Sequence, residues 1–159
     1  MKPPSFTLRS FIVVTITLAV AAAVLIPLIF RTGRTQRSIG CSMNLRALWA
    51  MSHLARTQGV QDSGGSDTFL VLQRGQDPAR DYSWFICPHS GDPIEAGRTS
   101  YRGPAFDVAK MSAGDPVAAD KEGNHGSVRG GTVLNKAGDC FEVTKTDPAW
   151  IRARGTTRE

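Results

Sequence analysis

Residues 11–30 read FIVVTITLAVAAAVLIPLIF, and everything else in the chain is interpreted from them. The run carries no charge, its only hydroxyls are Thr15 and Thr17, and it holds one proline, Pro27. About twenty residues at ~1.5 Å rise span roughly 30 Å, the thickness of a bilayer's hydrocarbon core. A helix satisfies its own backbone hydrogen bonds in lipid, so the run predicts a transmembrane helix. A cleaved secretory signal would have a shorter apolar run and a small-x-small cleavage site. Here the run ends in Pro27-Leu28-Ile29-Phe30-Arg31 with no such site, and a retained anchor is the expectation.

Working outward, residues 1–10 form a short basic leader, MKPPSFTLRS. Beyond the anchor, residues 31–58 resume an apolar pattern after Gly33. Ile39, Met43, Ala47, Leu48, Met51 and Leu54 fall near a 3.6 period, broadened by Leu45, Trp49 and Ala50. That spacing predicts an amphipathic continuation of the helix, as one rod or two nearly collinear ones. His53 on it reads as an ordinary partly exposed histidine. Gly59 and the polar run Gln61-Asp62-Ser63-Gly64-Gly65 stop the helix.

Residues 59–150 hold enough chain for one modest core, a small α+β head with an antiparallel sheet. Ser66 or Asp67 can cap a short helix through Leu72 that ends at Gly75. Tyr82 to Cys87 is β-prone and stopped by Pro88. Thr99 to Arg102, ended by Gly103-Pro104, and Asp115 to Asp120 are short strand candidates. Thr132-Val133-Leu134 and Cys140 to Val143 flank Asn135 to Asp139 as a hairpin, which Asp147-Pro148 ends. Residues 151–159, rich in Arg and Thr, are expected to be a flexible tail.

The chain has 159 residues and a net charge of +5. Basic residues cluster beside the apolar run, at Arg31, Arg34 and Arg37, where cations meet lipid headgroups. No recognition motif or aromatic-interleaved basic stripe is present, so nucleic acid is not an expected partner. Lys2 and Arg9 before the anchor do not outweigh the arginines after it, and charge alone leaves the topology open. Cys41, Cys87 and Cys140 include no C-x-x-C pair, which removes the usual zinc spacing. In an oxidising compartment three cysteines give one disulfide and one spare thiol, and the count does not choose the pair.

Ser5-Phe6-Thr7-Leu8 ahead of the long apolar helix resembles the type IV prepilin leader junction, as found in pilins and type II secretion pseudopilins. Counted from Phe6, Pro27 falls where those proteins have a helix-bending proline. The resemblance places leader processing by a prepilin peptidase between Ser5 and Phe6. Ser5 stands where the leaders end in Gly, and Ser10 stands where most members carry Glu, which marks a minor or divergent member. Cys41 to Leu48 is similar to a Cys-x-x-Asn-Leu-Arg/Lys-x-(Ile/Leu) stretch in a large group of pilin-like proteins whose C-terminal domain carries a His-x9-Asp-Gly pattern. Phe85-Ile86-Cys87-Pro88 resembles that group's mid-head Cys-Pro pair. His125 followed by Gly130-Gly131-Thr132-Val133-Leu134 and the Gly138-Asp139 turn is similar to its C-terminal signature, with Ala137-Gly138 where Asp-Gly is usual.

The resemblance implies a pilin-like structural subunit in the inner (cytoplasmic) membrane. Its head would lie outside the cytoplasm, and its N-terminal helix would pack against those of other pilin-like subunits. A membrane-tethered binding module that never polymerises is the alternative. The resemblance also implies a Cys41–Cys87 disulfide with Cys140 left over, against a reading of three reduced, buried thiols. It implies a structural role for His125 and the acidic turn, holding the last hairpin against the loop.

No cofactor is expected. Asp115, Asp120, Glu122, Asn124 and Asp139 offer calcium-type oxygens, and some pseudopilins hold calcium in a C-terminal loop, but the spacing matches no fixed loop pattern. Zinc held by His89, His125 and a cysteine is a further reading of the same kind. Cys87 and His89 are two apart, and Pro88 between them breaks a shared strand face. With no nucleophile elbow, phosphate loop or paired-carboxylate motif, an enzyme is not the expectation.

Overall fold

The computed structural model describes residues 8–61, 63–74, 81–126 and 129–159, side chains 9 and 31–35 excepted. Helix α1, Leu8–Thr57, is one uninterrupted helix that runs through Pro27 and the Gly33 backbone. The chain divides into two compact units, Met1–Gln36 and Arg37–Glu159.

In the first unit, Ser10–Phe30 is long and apolar enough to cross a membrane, and none of it is buried. Both of its threonine hydroxyls are satisfied within the helix. Thr15 Oγ donates to the Phe11 carbonyl at 2.9 Å and Thr17 Oγ to the Val13 carbonyl at 2.8 Å. That back-bonding pairs both threonine donors in a segment where an unpaired one would be costly in lipid.

The second unit is α+β, and its helical layer is the remainder of α1. The buried side chains there are Cys41, Leu45, Leu48, Trp49 and Ser52, a stripe at helical spacing. This face is rotated from the one the sequence predicts. Ile39, Met43 and Leu54 are 52%, 65% and 58% exposed. Apolar residues occupy two adjacent stripes of this helix, and periodicity alone does not choose between them. The stripe with the bulkier side chains and the half-cystine packs inward.

The sheet has five strands in the order β4-β3-β2-β1-β5, with every pairing antiparallel. They are β1 Tyr101–Pro104, β2 Pro116–Asp120, β3 Arg129–Asn135, β4 Cys140–Thr144 and β5 Thr157–Arg158. Side-chain alternation splits the core in two. Ala118 and Leu134 face the α1 side with Phe69, Phe85 and Tyr101. Ala119, Val133 and Val143 face Ala149, Trp150 and Ala153 of helix α3, Pro148–Thr156. The sheet thus lies between two helical layers. A short helix, α2 Asp67–Leu70, passes into a 3₁₀ turn at Val71–Gln73. Ser66 precedes α2 but makes no cap; its hydroxyl donates to the Tyr101 carbonyl instead. The expected stop at Gly75 lies outside the described residues.

Tyr82 to Cys87 is not a strand; Ser83–Phe85 is a 3₁₀ turn. The Asp81 carboxylate accepts from both the amide and the hydroxyl of Ser83, at 2.8 Å each, which bends the chain before a ladder could form. The first strand lies further on than expected, because Gly103 and Pro104 belong to β1 and pair with β5. A Cβ on Gly103 would sit 1.9 Å from the Gly65 carbonyl oxygen, so only glycine fits that approach.

Residues 151–159 are not a flexible tail. Asp147 caps α3 by accepting from the Ala149 amide at 2.8 Å, and Pro148 occupies the first turn. The Asp-Pro pair that reads as a stop is therefore a helix start. Trp150 is completely buried and Thr157 nearly so. Trp150→Ala is expected to destabilise the head by about 3–5 kcal/mol, read as a large fall in melting temperature. An unchanged melt would mean that this segment does not complete the core.

Candidate functional site

The sequence scatters its titratable groups, and the fold gathers four of them. Cys41 comes from α1, Cys87 follows the Ser83–Phe85 turn, Asp120 ends β2, and His125 sits in the turn that follows. One ligand-type atom from each lies within 4.8 Å of all the others, and all four residues are buried. Cys41 and Cys87 are joined as a disulfide with a Cα–Cα distance of 5.1 Å, and Cys140 is free. This is the pairing that the pilin-like resemblance implied.

His125 Nε2 lies 2.8 Å from Asp120 Oδ2 and 3.4 Å from Cys87 Sγ. Asp120 Oδ2 also accepts from the Thr132 amide at 2.6 Å. The other ring nitrogen, Nδ1, faces Glu142 Oε1 of β4 at 3.6 Å and makes no hydrogen bond. Glu142 is held from the opposite side by the Ser38 hydroxyl of α1 at 2.7 Å. The His89 ring lies against His125 with centroids 4.4 Å apart. Backbone shape makes room for the Asp120 carboxylate. A Cβ on Gly131 would come within 2.8 Å of the Asp120 Cβ and 3.2 Å of the Trp150 ring.

The electrostatics follow from this packing. Burial alone would lower the His125 pKa, but the hydrogen bond and charge of Asp120, with Glu142 behind, outweigh it and raise it. Burial lowers the His89 pKa, and the neighbouring His125 charge lowers it further. Burial pushes the Cys140 thiol up to about 12, which leaves it protonated and unreactive at neutral pH.

His125 does meet a carboxylate, but its partner is Asp120 and not Asp139. Asp139 closes the hairpin turn instead, accepting from Asn135 Nδ2 at 3.1 Å while its amide donates to Asn135 Oδ1 at 2.8 Å. Gly138 lies in that turn, donating to the Asn135 carbonyl, and Gly130 lies at the β3–β4 irregularity. The calcium-type oxygens do not converge. Asp115 accepts from the Ser112 amide, Glu122 pairs with Arg154, and Asn124 donates to the Ser100 carbonyl. Cys87 carries no thiol in the disulfide, so it forms no nucleophilic pair with His89. His53 is exposed. Ser5 and Phe6 lie outside the described residues.

The residue whose role the sequence does not single out is Asp120, which stands there among the calcium-type oxygens and is wholly buried. Its position at the end of an apolar run, Val117-Ala118-Ala119, is the available signal. A carboxylate ending a fully buried strand needs a partner, and the nearby histidine supplies one. Glu142 and His89 carry no comparable signal. No protein-family model, curated protein or solved structure matches the chain.

The disulfide closes a loop with a sequence separation of 46. Replacing both half-cystines by serine is expected to cost roughly 4 kcal/mol through loop entropy, measured by denaturant titration. For His125, a folded-state pKa above the ordinary 6.5 means that the folded chain holds the proton more tightly. That stabilisation is complete below 6.5 and fades as pH rises through the raised value. With the disulfide intact, the melting-temperature gap between wild type and His125→Gln should be widest near about pH 5 and narrow toward about pH 9. A gap that widens with pH would contradict the ion pair.

Proposed function

We propose that the chain is a membrane-anchored, pilin-like structural subunit, minor or divergent, of a pilus-like or type II secretion assembly. The observation that carries this reading is α1 itself. One continuous helix supplies an apolar, wholly unburied span at Ser10–Phe30 and, further along, the inner helical layer of the α+β unit. A helix with that division serves two solvents. Its first part is stable in lipid or against other apolar helices, where dispersion packing and satisfied backbone groups hold it. Its later part still exposes Ile39, Met43 and Leu54, a second apolar stripe available to neighbouring subunits.

The disulfide supports a head on the oxidising side of the cytoplasmic membrane. In this reading the partners are the lipid bilayer, other pilin-like subunits and a prepilin peptidase acting between Ser5 and Phe6. The work done is assembly and presentation. A second reading is a tether that anchors the head without polymerising. Ser5 and Ser10, where the resembled family has Gly and Glu, favour it.

Mass determination of the membrane-extracted protein tests the proposal. A mature chain beginning at Phe6 is expected for an assembling subunit, and a chain retaining Met1 would favour the tether. Extraction that succeeds without detergent, giving a soluble monomer, would overturn both.

A further inference from the structure

We propose that Cys41, Cys87, Asp120 and His125, once the disulfide is reduced, form a tetrahedral zinc site. The bond and the metal are then alternative closures of the same joint between α1, the Cys87 segment and the end of β2.

The donor set is the first argument. Two thiolates, one imidazole and one carboxylate are ligands that zinc accepts four at a time, and two sulfurs exclude calcium and magnesium. Geometry is the second. Zinc bonds sulfur at about 2.3 Å and nitrogen or oxygen at about 2.0–2.2 Å, so its ligand atoms stand roughly 3.3–3.8 Å apart. The four atoms here lie within 4.8 Å of one another. Cys87 Sγ and His125 Nε2 are already 3.4 Å apart, and Nε2 and Asp120 Oδ2 are 2.8 Å apart. The two sulfurs must part, which reduction permits, Nε2 and Oδ2 must open slightly, and the widest pairs, up to 4.8 Å, must close by about 1 Å.

The surroundings are the third argument. Metal-bound histidine usually gives its other ring N–H to a carboxylate. The Nδ1 of His125 faces Glu142 at 3.6 Å, with no other partner. Glu142 is itself anchored by Ser38. Asp120 is steadied by the Thr132 amide, and its second oxygen, Oδ1, is buried without a hydrogen bond. A buried orphan oxygen is unusual in a satisfied ion pair, and a second electrophile in the pocket accounts for it.

The chemistry balances. An external dithiol places two electrons in the S–S bond, which breaks while the dithiol closes to its own disulfide. The two protons it releases go to the Cys41 and Cys87 sulfurs. Zinc then displaces both thiol protons and the Nε2 proton of His125 to solvent, leaving Nδ1–H directed at Glu142. In the oxidised chain neither sulfur is a thiolate, and the site does not form.

The test uses the full-length chain in detergent micelles, with Cys140→Ser removing the spare thiol. After dithiol reduction, it is expected to bind about one zinc per chain. Cobalt in place of zinc should give sulfur-to-metal charge-transfer absorption and the visible bands of a tetrahedral ion. The oxidised chain should bind neither. Glu142→Gln, at an exposed residue, should weaken zinc binding about tenfold while leaving the oxidised fold intact. Asp120→Asn should weaken it further. Zinc should also recover melting temperature lost on reduction. The proposal is overturned if the reduced chain takes up no zinc, if oxidised and reduced chains take up equal amounts, if the cobalt spectrum lacks sulfur bands, or if both variants bind as the parent does.

Discussion

A carboxylate without contact to water organises the head. Asp120 closes β2 with its side chain fully buried, and an unpaired charge there would cost several kcal/mol. The surrounding chain is arranged to meet that need. The turn after β2 returns His125 to within 2.8 Å, and β3 offers the Thr132 amide at 2.6 Å. Gly131 lacks the Cβ that would collide with the carboxylate. His125 in turn lies beside Cys87, which ties the cluster covalently to α1. Sheet, loop and helix are thereby held at one point.

The same cluster explains why the two sides of the sheet differ. On the α1 side the core contains a covalent tie and aromatic residues such as Phe69, Tyr82 and Phe85. On the α3 side it is small residues around Trp150. Arg102 lies over the Trp150 ring at 5.0 Å and donates from Nε to the Asp120 carbonyl. The tryptophan side therefore also reaches back to the end of β2, through the backbone of the residue whose side chain serves the other face.

Legibility in the sequence depended on how far apart the deciding residues are. The apolar span, the α+β class, the β3–β4 hairpin and the end of α1 near Gly59 follow from local patterns, and each is found. The helix face was misread because two apolar stripes compete locally, and the choice is made by distant partners such as Phe85 and Leu134. The terminal helix was missed because Asp147-Pro148 serves equally as a stop and as a cap-and-start, and only Trp150's burial distinguishes them. The candidate site was half legible. His125 and both half-cystines carried a resemblance, whereas Asp120 and Glu142 join them only through strand register, which no short window encodes.

The strand order has a consequence for how such a chain folds. β1 lies between β2 and β5, so its outer edge stays open until Thr157 and Arg158 pair with it. Cys41 likewise must wait for Cys87, at a sequence separation of 46. Contacts of such long sequence separation form slowly, and unfilled strand edges are prone to wrong pairing meanwhile. The apolar span, by contrast, is helical and closes its hydrogen bonds between near neighbours. Folding therefore has a direction: the apolar helix can form from neighbouring residues alone, and the sheet locks only when β5 pairs with β1.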